Sequence, residues 1–285
     1  MKQLLMLVRR ELWEFQSTFI KLPFLIGALL VLVGFCSTLY FVENGGYPHL
    51  LNITMNSDTS YRNVVQLFTY FVSTPFVIIL WLMVANYCLA CLFDDRKNQS
   101  ILFWQSMPVS QLKVILSKCI TAFVVAPLLT IVMVIITEFI LLVFLSFFVA
   151  EFSLGHPLML WDMTTLLVTW LRLSIAFFIH ALWLFPIYAW FMFCSAYARK
   201  TPFKMAVTIP IVVMVIEKFL DMNHLSLFDF IFDRLRTIVF EYFLLPSFNF
   251  PEGYLLSLGL GLLVGIFFLS VAGWMRSRCY HFDGV

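Results

Sequence analysis

Charge is scarce in this sequence. Asp, Glu, Lys and Arg make up 12% of its 285 residues, about half the share found in an ordinary soluble domain. By contrast 62% are hydrophobic and 33 are Phe. So little polar surface cannot cover a water-exposed core of this length, and an integral membrane protein is expected. Catalytic signatures are missing too. There is no GxxxxGKS/T phosphate loop, no HExxH and no GxSxG, and His49, His156, His180, His224 and His281 stand singly. No catalytic residue, metal site or cofactor is therefore assigned to this chain, which reads as a non-enzyme. Cys88 and Cys91 have CxxC spacing, but no second pair or nearby His completes a ligand set. Helix packing is the role expected of them.

No stretch between apolar runs approaches the roughly 50 residues that a domain needs. The longest are 43–63, 93–118 and 221–253, so 1–285 reads as a single transmembrane domain. The net charge of +2 implies no nucleic-acid partner. The opening 21 residues contain Glu11 and Glu14 and are too long and acidic for a signal-peptide n-region, so the first span is expected to stay attached.

What is present is apolar run after apolar run. A helix needs about 20 such residues to cross a hydrocarbon core. Leu22–Val42, Val64–Phe93 and Tyr254–Met275 carry no charge, Cys119–Ala150 carries only Glu138, and Met163–Ala198 carries only Arg172 and His180. A sixth segment, Met205–Ile216, is short and contains Pro210. Counting it as a span puts most of the 18 Lys and Arg residues on one side with both termini, as the positive-inside rule expects. The expected fold is an all-α bundle of six transmembrane helices, multi-pass in membrane lipid, with both ends cytoplasmic. Gly261 and Gly265 form a G-x-x-x-G in the last span, which permits close packing.

Polar residues inside these runs are the informative ones. Glu138 and Arg172 fall at similar depth by helical rise. An unpaired charge near mid-bilayer costs at least about 2.5 to 3.5 kcal/mol, so the two are expected either to pair and pin two helices or to line a transport path. His180 lies eight residues after Arg172 and is expected to be a hydrogen-bonded packing residue.

At the N-terminus Leu5, Val8, Leu12, Phe15 and Phe19 recur with helical spacing, leaving Lys2, Arg9, Glu14, Gln16 and Lys21 elsewhere on the circle. Residues 1–21 are expected to form an amphipathic helix on the membrane surface, ending at Pro23. Residues 93–113, FDDRKNQSILFWQSMPVSQLK, interrupt the apolar runs between spans two and three. Asp94 or Asp95 can cap a short helix there, Pro108 stops it, and Ser110 can start the next one. Ile101, Phe103, Trp104 and Met107 form an apolar knob suited to a partner's groove, with Asp94, Asp95, Arg96 and Lys97 at its rim.

The string LFDDRKNQSILFWQSMPVSQLKVILSK resembles the first cytoplasmic loop of bacterial ABC-2-type transporter permeases, and RRELWEF near the N-terminus and the six-span layout are similar to the same family. That resemblance implies the permease subunit of an ATP-driven exporter in the bacterial inner membrane. It makes 93–113 a coupling helix that docks on a separate ABC ATP-binding subunit. The N-terminal helix, with Arg9, Arg10, Glu11 and Trp13, becomes the connecting helix, and 221–253 an outer re-entrant segment. ATP and Mg would be bound by the partner, and a second permease copy or a similar chain would complete the path. The residues alone leave two other classes open: an ion- or proton-coupled secondary transporter using Glu138, Arg172 and His180, and a non-transporting membrane scaffold.

Overall fold

The structure is a computed structural model, described here for residues 2–43, 58–98, 110–151, 157–220, 229–235 and 253–278. Among these residues there is no strand. The helices are α1 (Lys2–Glu14), α2 (Leu22–Glu43), α3 (Asp58–Lys97), α4 (Gln111–Ile120), α5 (Ala126–Glu151), α6 (Met163–Trp183), α7 (Phe185–Tyr197), α8 (Pro202–Phe219) and α9 (Tyr254–Arg278). An all-helical chain is what such apolar runs require in lipid, where each backbone polar group must be satisfied within its own segment.

Among the described residues five helical stretches are long and apolar enough to cross a membrane: Ser17–Tyr40, Arg62–Lys97, Gln111–Glu151, Met163–Trp183 and Tyr254–Arg276. α8 is not among them, since its 18 residues include Lys204, Glu217 and Lys218.

Three boundaries differ from the sequence reading. The run 163–198 is not one helix, because it is interrupted at Leu184 (φ −83°, ψ −3°) immediately before α7, whose second residue is Pro186. Proline has no N–H to continue the ladder, so the break falls just ahead of it. The N-terminal helix does not end at Pro23: α1 stops at Glu14 and a π-helical turn, Ser17–Lys21, leads straight into α2. Pro23 follows the π turn directly, inside a continuous helical run where its missing N–H removes one ladder bond. Finally, Asp94 and Asp95 do not cap a new helix. They belong to the last turn of α3, which runs to Lys97. Ser110 does stand at the N-cap position of α4, in extended conformation (φ −69°, ψ 143°), without a capping bond from its side chain.

The chain packs as two compact units. The first comprises Met1–Phe15, Trp81–Pro127 and Phe178–Val285. In it α7 lies along α9, with Trp190 edge-on to Phe268 at 5.1 Å, and α1 lies on α4. A β-carbon at Gly265 would fall inside contact distance of the Phe185 ring, and one at Gly261 inside that of the Arg234 guanidinium. The G-x-x-x-G thus serves close packing, but against side chains rather than a bare helix backbone.

The second unit comprises Gln16–Leu80 and Leu128–Phe177. Its core is Val65, Leu142, Val149, Leu160 and Leu166. α2 rests on α5 through two glycines seven residues apart: a β-carbon would lie 2.7 Å from Thr137 Oγ1 at Gly27 and 2.6 Å from Leu141 Cδ2 at Gly34. Between membrane helices, where the surrounding lipid is equally apolar, such close approach is a main source of adhesion. Asp162 precedes α6 and caps it, accepting bonds from Thr164 N–H (3.2 Å) and the Thr165 hydroxyl (2.6 Å).

Candidate functional site

In the first unit, charged residues from four helices converge, four of them buried and Arg10 and Glu14 at the rim. α1 supplies Arg10, Glu11 and Glu14, α3 supplies Asp95, α4 supplies Lys118, and α9 supplies Arg276. Glu11, Asp95 and Lys118 are each 1% exposed, and Arg276 is 6% exposed. Lys118 Nζ lies 2.9 and 3.0 Å from the two oxygens of Glu11 and 3.3 Å from Asp95 Oδ2. The Tyr87 hydroxyl donates to Glu11 Oε2 at 2.9 Å. Arg276 Nη1 lies 3.0 Å from Asp95 Oδ2, and its Nε donates to Gln111 Oε1 at 2.9 Å. Arg10 Nη2 reaches Glu14 at 3.1 Å and Asp95 Oδ1 at 3.8 Å.

Three acids and three bases balance, which is the condition under which ionised groups tolerate such burial. Partial burial raises the Glu14 carboxyl above its ordinary range, with the Arg10 charge pulling the other way. Asp95 is the hub, with Arg10, Lys118 and Arg276 all within 4 Å. A carboxylate in the last turn of a helix opposes the helix dipole, and these three cations offset that.

The sequence reading placed Asp95 and Arg96 on an outward rim, and the structure corrects both. Asp95 is buried in the cluster. Arg96 donates from Nη2 to the carbonyls of Ser195 (2.6 Å) and Ala198 (2.8 Å), closing the C-terminal end of α7. Ser195 Oγ in turn accepts from the N–H groups of Leu92 and Phe93. Lys97 is exposed and Asp94 half-buried. Ile101, Phe103, Trp104 and Met107 lie outside the described residues, as does most of 221–253.

On α1 the buried stripe runs through Leu7, Val8 and Glu11, while Leu5 and Trp13 are 67% and 70% exposed. The stripe that packs on the rest of the unit thus has Glu11 in its middle and Leu5 outside it. Arg9 is exposed, its guanidinium 5.4 Å from the centre of the Trp13 ring.

Glu138 and Arg172 do not pair. Glu138 is 1% exposed in the second unit. It accepts from Trp170 Nε1 at 2.5 Å and lies 3.3 Å from Ser73 Oγ; among the described residues no cation is within ion-pair distance of it. Helical rise gives the two residues similar depth but does not fix their rotation. Trp170 and Arg172 are two residues apart, about 200° around the helix, so a helix that aims Trp170 at Glu138 turns Arg172 away. His180 is buried as a packing residue, but neither ring nitrogen has a hydrogen-bond partner among the described residues.

The cluster residues that sequence reasoning missed are Tyr87, Gln111, Lys118 and Arg276. In the sequence Lys118 and Arg276 are only two of the 18 Lys and Arg residues, and nothing marks them as the partners that Glu11 and Asp95 require. A second missed feature is Arg234, in the helical turn 229–235 and 1% exposed. Its guanidinium lies between the rings of Trp183 (4.6 Å) and Phe230 (4.5 Å). It donates to the carbonyls of Trp183 and Ser257, and Trp183 Nε1 donates back to its carbonyl at 3.2 Å. Among the described residues no group of three or more His, Cys, Asp or Glu side chains could hold a metal ion.

The long apolar helices among the described residues point to a helical membrane protein. Comparison with protein-family models, curated proteins and solved structures found no match to this chain.

Proposed function

We propose that this chain is the membrane-spanning permease subunit of an ATP-driven exporter of the ABC-2 kind, resident in a bacterial inner membrane and driven by a separate ATP-binding subunit. The observation that supports it best is the buried cluster of Glu11, Asp95, Lys118 and Arg276. It ties the N-terminal helix and the stem of the 93–113 elbow to α4 and α9 through short, desolvated ion pairs. A force applied to the elbow by a docked ATPase would reach Asp95 first, and Asp95 cannot move without carrying Lys118 and Arg276. In this reading Ile101, Phe103, Trp104 and Met107 seat in the ATPase, and Asp94 and Lys97 face its rim. Arg9 and Trp13, exposed on α1, provide further contact with the partner or the lipid surface.

α8 is then the short fifth crossing, which gives six spans and places both termini in the cytoplasm. Residues 221–253 fold back on the outer side, anchored by Arg234. A second permease copy completes the path, and ATP and Mg belong to the partner.

The test is co-purification. A candidate ABC ATP-binding subunit co-expressed with the chain should be retained by the wild type and lost from Trp104→Asp, while the variant inserts in the membrane normally. Retention of the ATPase by Trp104→Asp at wild-type affinity would overturn the docking site.

A further inference from the structure

We propose that Glu138 is a proton-binding site in the second unit, held as the neutral acid in this conformation with its proton on Oε1. The donors and acceptors around Glu138 require this, whether or not an ATPase docks on the chain. A serine hydroxyl carries one proton. Ser73 Oγ lies 2.5 Å from the carbonyl of Thr69 and 3.3 Å from Glu138 Oε1. A backbone carbonyl can only accept, and it is the nearer partner, so the Ser73 proton belongs to Thr69. What Ser73 then presents to Glu138 is a lone pair. Trp170 Nε1 can only donate, and it does so to Oε2 at 2.5 Å. A carboxylate would therefore meet one donor and one lone pair, with no cation among the described residues to balance it. A carboxylic acid with its proton on Oε1 satisfies every group: Oε1–H donates to Ser73, Ser73 donates to Thr69, and Oε2 accepts from Trp170.

The surroundings are apolar on each side. α2 has no charged residue between Leu22 and Val42 and seals the site where Gly27 meets Thr137 and Phe76. α3 contributes Thr69 and Ser73, both buried, and its nearest charged residue in sequence is Arg62, which lies 3.7 Å from Asp162. α5 carries no other charged residue before Glu151. α6 contributes Trp170, and its one charged residue, Arg172, is turned aside. Exposing Oε1 to water by parting α3, α5 and α6 would let the acid ionise, so opening of this unit and release of one proton are linked.

The experiment is infrared difference spectroscopy of the purified, lipid-reconstituted chain at neutral pH, wild type minus Glu138→Gln. The account predicts a carboxylic-acid C=O band that is absent from the variant and shifts in D2O. Glutamine keeps the bonding pattern, with its N–H on Ser73 and its carbonyl on Trp170, so Glu138→Gln should melt close to wild type whereas Glu138→Ala should melt well below it. Were the Gln variant not to fold, labelling of the wild type with dicyclohexylcarbodiimide, which activates protonated carboxyls, should map to Glu138 by peptide mass spectrometry. A carboxylate band with no acid band, or a folded-protein label map with other carboxyls modified and Glu138 spared, would overturn the assignment.

Discussion

Lys118 shows most plainly what a single residue contributes here. Its ammonium bridges two carboxylates from different helices, Glu11 and Asp95, and all three are buried. Lys118→Met leaves two acids underpaired, and a loss of about 3 to 5 kcal/mol is expected. Adding Glu11→Gln should recover much of it, so the two changes should be strongly non-additive in thermal melts. Glu138 and Arg172 should behave in the opposite way: since they do not touch, the losses from Glu138→Ala and Arg172→Met should add. Asp162 gives a pH-dependent expectation. Its bond from the Thr165 hydroxyl, then the Thr164 N–H and the nearby Arg62, hold its carboxyl below the usual range. A depressed acid stabilises the fold above its ordinary titration range and loses that contribution as pH falls through the lowered value. The melting difference between wild type and Asp162→Asn should therefore shrink on acidification. None of these partners was legible in the sequence. Spacing along a chain gives depth, but which of several equally deep groups meet is set by the rotation of each helix, as Trp170 and Arg172 demonstrate.

At the scale of elements the sequence was more legible. Apolar runs found the cores of α2, α3, α5, α6 and α9, because a hydrocarbon environment leaves a continuous composition signal that needs no knowledge of neighbours. The ends were less clear. α3 extends four residues past Phe93 to Lys97, because charged residues that close a buried cluster look in sequence like the start of a loop. Pro186 was a readable signal for the break at Leu184, since a helix interior does not tolerate it. Close helix contacts were half legible: G-x-x-x-G drew notice to Gly261 and Gly265, while Gly27 and Gly34, which hold α2 to α5, follow no motif that stands out. They should nevertheless matter. Gly34→Leu is expected to cost about 1 to 3 kcal/mol by overpacking against Leu141. Gly259→Ala, with open space around its position, should be neutral or slightly stabilising in the same melting assay.

For the whole molecule, composition alone pointed to a membrane protein, and the five long apolar helices among the described residues agree. Topology is open to direct measurement: under the proposed six-span arrangement, reporters fused at Lys200 and after Val285 should register cytoplasmic, and one near Asn249 external. An external reading after Val285 would remove α8 as a crossing. The central claim is that the buried cluster transmits force between a docked ATPase and the membrane helices. Its most direct test is ATP hydrolysis by the reconstituted complex, with the permease carrying Glu11→Gln, Lys118→Met and Arg276→Gln together. That set removes the ion pairs that tie α1 and Asp95 to α4 and α9 while leaving the elbow 93–113 intact. The account predicts that the ATPase still binds, but that the permease no longer alters its hydrolysis rate as the wild type does. Hydrolysis modulated by this variant to the wild-type extent would contradict it.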